Sequence, residues 1–214
     1  MAQAANILYM KIVIFGASGR TGSHLVRQAL DRGYAVTAFV RNQAKMDVSH
    51  KNLSIFQGDV LHPEEVDAAV KEQDAVLSAL GLTKGSPKTI CADGIRNIIA
   101  AMKKYEVKRL VVESACGVGN TRNKGFYARV LWLIIRDRIK DKEEMEREIE
   151  ESGLEWVIAR PVALTNGEKT GSYRAGPDLK LGFFPRVSRA DVADFMLSRL
   201  ESDKFVHEMP TVSL

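Results

Sequence analysis

Three glycines, Gly16, Gly19 and Gly22, stand at intervals of three in GASGRTG, directly after the apolar run KIVIF. This spacing suits a cradle for a diphosphate. Gly16 allows a tight turn out of a strand, Gly19 lets backbone approach the phosphates, and Gly22 lets the next helix pack on the sheet. A helix opening here would also turn free N–H groups towards an anion. The plainer alternative is a turn that only needs glycine. A second cluster closes the run AVTAFV, where Val40 is followed by Arg41, Asn42 and Gln43 and the first acid is Asp47. A site for NAD usually places Asp or Glu there to bind ribose hydroxyls. Arg41 offers instead a planar donor fork for a 2′-phosphate, and Arg20 and Lys45 can add charge to it. A solvent-facing arginine is the alternative.

Two further strand ends carry matching signals. Asp59 and Val60 follow LSIFQG, where a carboxylate can accept from an adenine amino group and a valine can cover the ring. Leu80 and Gly81 close AVLSALG, where glycine allows close backbone approach along a dinucleotide. Either pair also fits ordinary turn chemistry. Their recurrence at consecutive strand ends favours one extended site.

The elements that would position these residues alternate along the chain. Strands are expected at 11–15, 35–40, 53–58, 75–81, 109–114 and 154–159, with a short remainder after the last helix. Helices are expected after Gly19 up to Gly33, from about Pro63, over PKTICADGIRNIIAAMKKY, up to Ser152-Gly153, and over ADVADFMLSRL. Such alternation predicts an α/β fold, a Rossmann-type doubly wound parallel sheet in a single domain. Residues 1–9 read as an N-terminal extension and 10–214 as the NAD(P)-binding domain, with the acceptor site formed by segments after strands five and six. The long departure at 117–139 should lie over the carboxyl edge of the sheet.

Composition narrows the class. Of 214 residues, 45% are hydrophobic and 27% charged, as in ordinary soluble domains. Arg136 ends the longest apolar run, LWLII, and MAQAANILY has no export pattern, so a cytoplasmic protein without membrane association is expected. Two cysteines and four scattered histidines predict no disulfide scaffold and no metal. The pI near 9.0 accompanies a net charge of only +4. Basic residues gather from Asn120 to Lys142, where a phosphate ligand would account for them, and acids in EEMEREIEE read as a solvated helix face. No nucleic acid is expected as a partner. Nothing asks for a protein partner either, so a monomer is expected.

KIVIFGASGRTG, FVRN, GDV, DAVLSALG, GIRNIIAAMKKYEV, ESGLEWVIARP, TGSY and ADVADFML together resemble the NADPH-dependent flavin reductase and biliverdin-IXβ reductase family. That family belongs to the atypical short-chain dehydrogenase/reductases and stands close to the NmrA-like proteins. The resemblance implies that Gly16, Ser18, Gly19, Arg20 and Thr21 hold the pyrophosphate and that Arg41 and Lys45 hold the 2′-phosphate. It assigns Asp59 and Val60 to the adenine, Leu80 and Gly81 to the nicotinamide half, and Pro161 and Val162 to the border of the ring. Two positions depart from the family: Ala115 where a serine is usual, and Ala163 where a histidine is expected.

Carbonyl-reducing members of the wider superfamily use Tyr-x-x-x-Lys, in which lysine lowers the tyrosine pKa for protonation of an alkoxide. Tyr105 and Tyr34 precede strands and so fall at the wrong edge, and four residues before Lys142 stands Arg138. A flavin or linear tetrapyrrole makes a smaller demand, because hydride addition yields a delocalised anion. The expected activity is NADPH-dependent hydride transfer to a planar conjugated acceptor, with FMN or FAD as substrate rather than prosthetic group. The alternative is an NmrA-like NADP(H) sensor without turnover; an epimerase or dehydratase-like enzyme is a third option. Ser114 and Tyr127 are the candidate catalytic side chains. Cys116, Phe126, Trp132, Tyr173 and Arg174, with Phe183 and Phe184, are expected around the acceptor. Trp132 fits a core-covering role equally well, and Cys116 fits a small buried side chain better than a nucleophile.

Overall fold

The computed structural model describes residues 10–119 and 136–214. The six expected strands form as β1 (Lys11–Phe15), β2 (Ala35–Val40), β3 (Leu53–Gln57), β4 (Ala75–Ser78), β5 (Arg109–Glu113) and β6 (Glu155–Pro161). Four short strands join them: β7 (Ala163–Thr165), β8 (Arg174–Gly176), β9 (Arg186–Ser188) and β10 (Thr211–Ser213). The main sheet runs β3-β2-β1-β4-β5-β6-β10-β8 and is parallel except for β8, while β7 and β9 pair separately. The short remainder after the last helix thus carries a strand that its sequence did not announce. Three residues near the end of the chain lie between β6 and β8, and TVS is too short to show a period.

Helices α1 (Arg20–Asp31), α2 (Pro63–Val70), α3 (Ile90–Lys104), α4 (Arg136–Glu150) and α5 (Arg189–Ser198) cover both faces. Alternation along each strand divides the core. Ile12 and Ile14 face one layer with α1 and α5, and Val13 and Phe15 face the other with α2, α3 and α4. This is the doubly wound Rossmann arrangement, and it forms a single domain. Strand order reverses between β1 and β4, which opens a crevice above their carboxyl ends.

Helix α4 departs from its sequence reading as a solvated acidic face. Met145 and Ile149 are fully buried, and Glu146 is only 3% exposed. Arg160 on β6 reaches it with two hydrogen bonds, Nε to Oε1 at 3.0 Å and a terminal nitrogen to Oε2 at 2.7 Å. On the preceding turn, Asp141 accepts the N–H groups of Cys91 (3.1 Å) and Ala92 (2.9 Å), satisfying two donors at the start of α3. The same helix thus joins α3 and β6 through buried charge.

Removing one member of the Glu146–Arg160 pair leaves its partner desolvated and alone. Glu146→Ala should therefore cost about 3–5 kcal/mol, read from urea unfolding. Combining Glu146→Leu with Arg160→Met should recover most of that loss.

Candidate functional site

The glycine loop is shaped by contacts that exclude side chains. Gly16 has φ +75°, and a Cβ there would lie 2.7 Å from the Ala79 carbonyl oxygen at the end of β4. At Gly22 a Cβ would stand 2.1 Å from the Gly16 oxygen, so α1 starts against its own loop. Gly19 donates its N–H to that oxygen at 2.9 Å. No side chain caps the N-terminus of α1, and its first turn contains no acid. Arg20 and Thr21 stand there instead, which suits a diphosphate. Ser18 is exposed in the same turn.

At the adenosine end, Arg41 and Asp59 line one cleft of about 250 Å³ with Gln57, Gly58, His62 and Glu65. The Arg41 guanidinium donates to Thr83 Oγ1 at 2.9 Å, which aims it across the edge from β2 towards the loop after β4. Lys45 is exposed in the single turn Gln43–Lys45, which Asn42 caps by accepting the Ala44 N–H. Asp59 Oδ1 accepts the Leu61 N–H at 3.0 Å, so part of this carboxylate closes its own turn. Glu65, missed in the sequence, accepts the Asp59 N–H at 2.6 Å. That bond, with a smaller contribution from His62, holds its carboxyl below the usual range. Val60 is a correction. It is 4% exposed and packs where a Cβ on Gly94 would touch both its methyls at 3.0 Å, so it seats α3 rather than covering an adenine.

The nicotinamide end lies above β4, β5 and β6. A Cβ at Gly81 would meet nothing within 4 Å, so packing leaves open space where close ligand approach was expected. Pairing with β6 continues past β5: Ser114 N–H donates to the Ala159 oxygen at 2.7 Å and Cys116 N–H to the Pro161 oxygen at 2.8 Å. Val162 is tied to Val212 of β10. Ser114 and Ser78 are buried with hydroxyls that have no hydrogen-bond partner among the described residues. Buried hydroxyls are normally satisfied, so this pair at neighbouring strand ends fits polar atoms of a ligand. Cys116 is 1% exposed among Val162 and Val187, which makes it a core side chain and not part of an open acceptor pocket.

Beneath this edge is a carboxyl that sequence reasoning passed over. Glu113, the last residue of β5, is 7% exposed and accepts from Thr21 Oγ1 of α1 at 3.0 Å. Lys142 of α4 donates to the Glu113 backbone oxygen at 2.8 Å. Burial raises the Glu113 carboxyl above the usual range, opposed by Lys142, the Thr21 hydroxyl and Arg189. An acid closing the apolar strand RLVVE was the available signal.

Other expected acceptor residues stand elsewhere. Tyr173 donates to Asp194 Oδ2 at 2.9 Å and meets Phe195 edge-on, on the flank of α5. Asp194 in turn binds Arg32 just past the far end of α1, so Tyr173 belongs to helix packing. Arg174 is exposed on β8, opposite Ser213 and two strands beyond β6. Phe126, Tyr127 and Trp132 lie outside the described residues.

Residues 16–203 match the family described as NAD(P)H-binding. The chain belongs to that family. It is 30% identical over 202 residues to the uncharacterized sugar epimerase YhfK of Bacillus subtilis, covering 90% of this chain and 88% of that one. The oxidoreductase ylbE of Lactococcus lactis superposes with a TM-score of 0.81 at 23% identity, over 95% and 90% of the two chains. ChuY, an anaerobillin reductase of Escherichia coli O157:H7, gives 0.80 at 20% identity, over 95% and 96%. At these identities the two structures establish the shared fold. No helix of the described residues is long and apolar enough to cross a membrane.

The buried Glu113 yields a pH test. Its folded pKa lies above the ordinary 4.5, so the folded chain binds this proton more tightly than the unfolded chain. Its contribution to stability therefore falls as pH rises from the ordinary value through the raised one. Glu113→Gln should gain stability relative to wild type across that window, measured as urea midpoints at successive pH values. A difference that stays flat with pH would remove the assigned titration.

Proposed function

We propose that this protein is an NADPH-dependent oxidoreductase that transfers hydride to a planar conjugated acceptor, a free flavin or a related tetrapyrrole or quinone. The observation carrying the reading is the pair of unpartnered hydroxyls, Ser78 and Ser114, at strand ends beside the glycine loop, with Lys142 fixed to the Glu113 carbonyl. The edge is prepared to hold and orient, and four residues before Lys142 the sequence carries Arg138 in place of a tyrosine. Arg41 and Lys45 favour NADPH over NADH. A cytoplasmic monomer, with residues 1–9 as an extension, completes the proposal.

When bound, the nicotinamide supplies the hydride. The chain's own residues supply position. The N-terminus of α1 and Arg20 hold the diphosphate, and Arg41 holds the ribose phosphate. Gly81 would leave space for the ring, with Pro161 and Val162 at its border. Ser114 Oγ then serves as a hydrogen-bonding group towards the reacting pair. A delocalised product anion takes its proton from water, so orientation at about 3–3.5 Å is the main requirement.

Arg41→Ala should weaken NADPH binding by about 1.5–3 kcal/mol and change NADH little, by fluorescence titration. Equal loss for both cofactors would refute the role of Arg41. Ser114→Ala should slow FMN turnover by less than the roughly hundredfold effect that marks loss of a general acid, and simple aliphatic ketones should not be reduced. The deciding assay is NADPH oxidation against FMN, FAD, riboflavin, biliverdin isomers and small quinones. Tight NADPH binding with no acceptor-dependent oxidation would favour an NmrA-like sensor.

A further inference from the structure

The loop between β8 and β9 carries two adjacent phenylalanines in full solvent, Phe183 at 93% and Phe184 at 94% exposure. The ends of this loop are anchored. Leu181 packs against the core, Pro185 is buried, and the Arg186 carbonyl accepts the Leu214 N–H at 3.0 Å. Two large apolar rings thus stand on a fixed stem, without the burial such side chains normally gain.

Their position relates them to the site. Arg186 is paired with Ala163, which directly follows Pro161 and Val162. Two residues of chain span at most about 7 Å, and paired strands lie about 4.8 Å apart. The Cα of Phe184 is therefore within about 12 Å of Ala163, a span that a tricyclic or tetrapyrrolic molecule can bridge. The surroundings are cationic. Lys180 precedes the rings and Arg186 follows them in sequence, and Asp178 is the loop's single acid. Arg174 lies on the adjoining β8.

We propose that Phe183 and Phe184 form the outer wall of the acceptor site, stacking on a flat anionic molecule whose phosphate or carboxylates meet Lys180 and Arg186. This rests on the acceptor reading above and adds its specificity. Flat π systems stack on phenyl rings whatever their detailed chemistry, and flanking cations select those bearing negative charge. The shared recognition chemistry covers a flavin phosphate and tetrapyrrole propionates alike.

The test is direct binding, which needs no turnover. FMN, riboflavin and biliverdin are titrated into the full chain loaded with NADP+, and NADPH affinity is measured separately. Phe183→Ala with Phe184→Ala should weaken all three by about tenfold or more and leave NADPH affinity within about twofold. Lys180→Ala with Arg186→Ala should weaken FMN and biliverdin but spare riboflavin. If only FMN responds, the anion is a phosphate; if only biliverdin responds, it is a carboxylate. Unchanged binding of all three in the phenylalanine variant would overturn the proposal, as would a change confined to self-association or to sedimentation with anionic vesicles. Ring-dependent binding without NADPH oxidation would uphold the surface and refute the reductase. Unchanged acceptor affinity together with normal NADPH oxidation in the phenylalanine variant would do the reverse.

Discussion

Gly22 lies so close to the carbonyl of Gly16 that the first turn of α1 touches the loop it grows from, and Gly16 in turn sits on the backbone at the end of β4. Both approaches are backbone against backbone, so no flexible side chain can yield. The N-terminus of α1 is thereby pressed down at the point where strand order reverses, with uncapped donors facing the crevice. The site inherits its geometry from this contact. Thr21 reaches the buried Glu113 because α1 is held that low, and the hydroxyl–carboxyl bond ties the phosphate-binding turn to the strand that carries Ser114. The same glycines read as ligand contacts in the sequence are thus first of all packing contacts. A substitution at Gly16 or Gly22 disturbs the fold together with the site, and Gly19, whose Cβ would meet only its own loop at 3.0 Å, comes closest to separating them.

Helix α4 does for the other side of the edge what the glycine loop does for the first. Asp141 caps α3, Lys142 fixes the carbonyl of Glu113, and Glu146 binds Arg160, all from less than two turns of one helix. Each of these charges is partly or wholly withdrawn from water, where an unmatched group costs several kcal/mol, so small slips along the helix axis are penalised at three places together. Such an arrangement constrains register more than it adds stability. It places Lys142 beside the strand end, where its ammonium donates to the Glu113 backbone oxygen at 2.8 Å.

The parts legible in the sequence are those with a strong local signature. Six strands, five helices and the glycine turn follow from periodicity and from residues with special backbone needs, and the sheet follows from their alternation. Short strands were lost, because β7 to β10 have three residues each and take their partners from distant chain. Buried charge was lost for a related reason. Composition makes EEMEREIEE look solvated, and only the arrival of Arg160 from β6 turns Glu146 inwards. Tyr173 was misplaced because an aromatic after the last long strand can serve either the site or the helix beside it, and the partner Asp194 lies a further 21 residues on. Val60 and Cys116 were assigned to ligand surfaces that turn out to be core for the same reason, since a strand-end side chain's direction is not written in its neighbours.

The polar chemistry of the edge is unevenly spread, and the unevenness carries meaning. Arg41, His62, Glu65 and Asp59 gather around one cleft beyond β2 and β3. At the ends of β4 and β5, Ser78 and Ser114 are buried with hydroxyls that have no hydrogen-bond partner among the described residues, and Lys142 donates to the Glu113 backbone oxygen beside them. The buried Glu113 carboxyl accepts from Thr21 beneath the glycine turn through Oε1. Under the proposed reading, hydroxyls that can donate or accept as required would suit a product whose charge lies over many atoms.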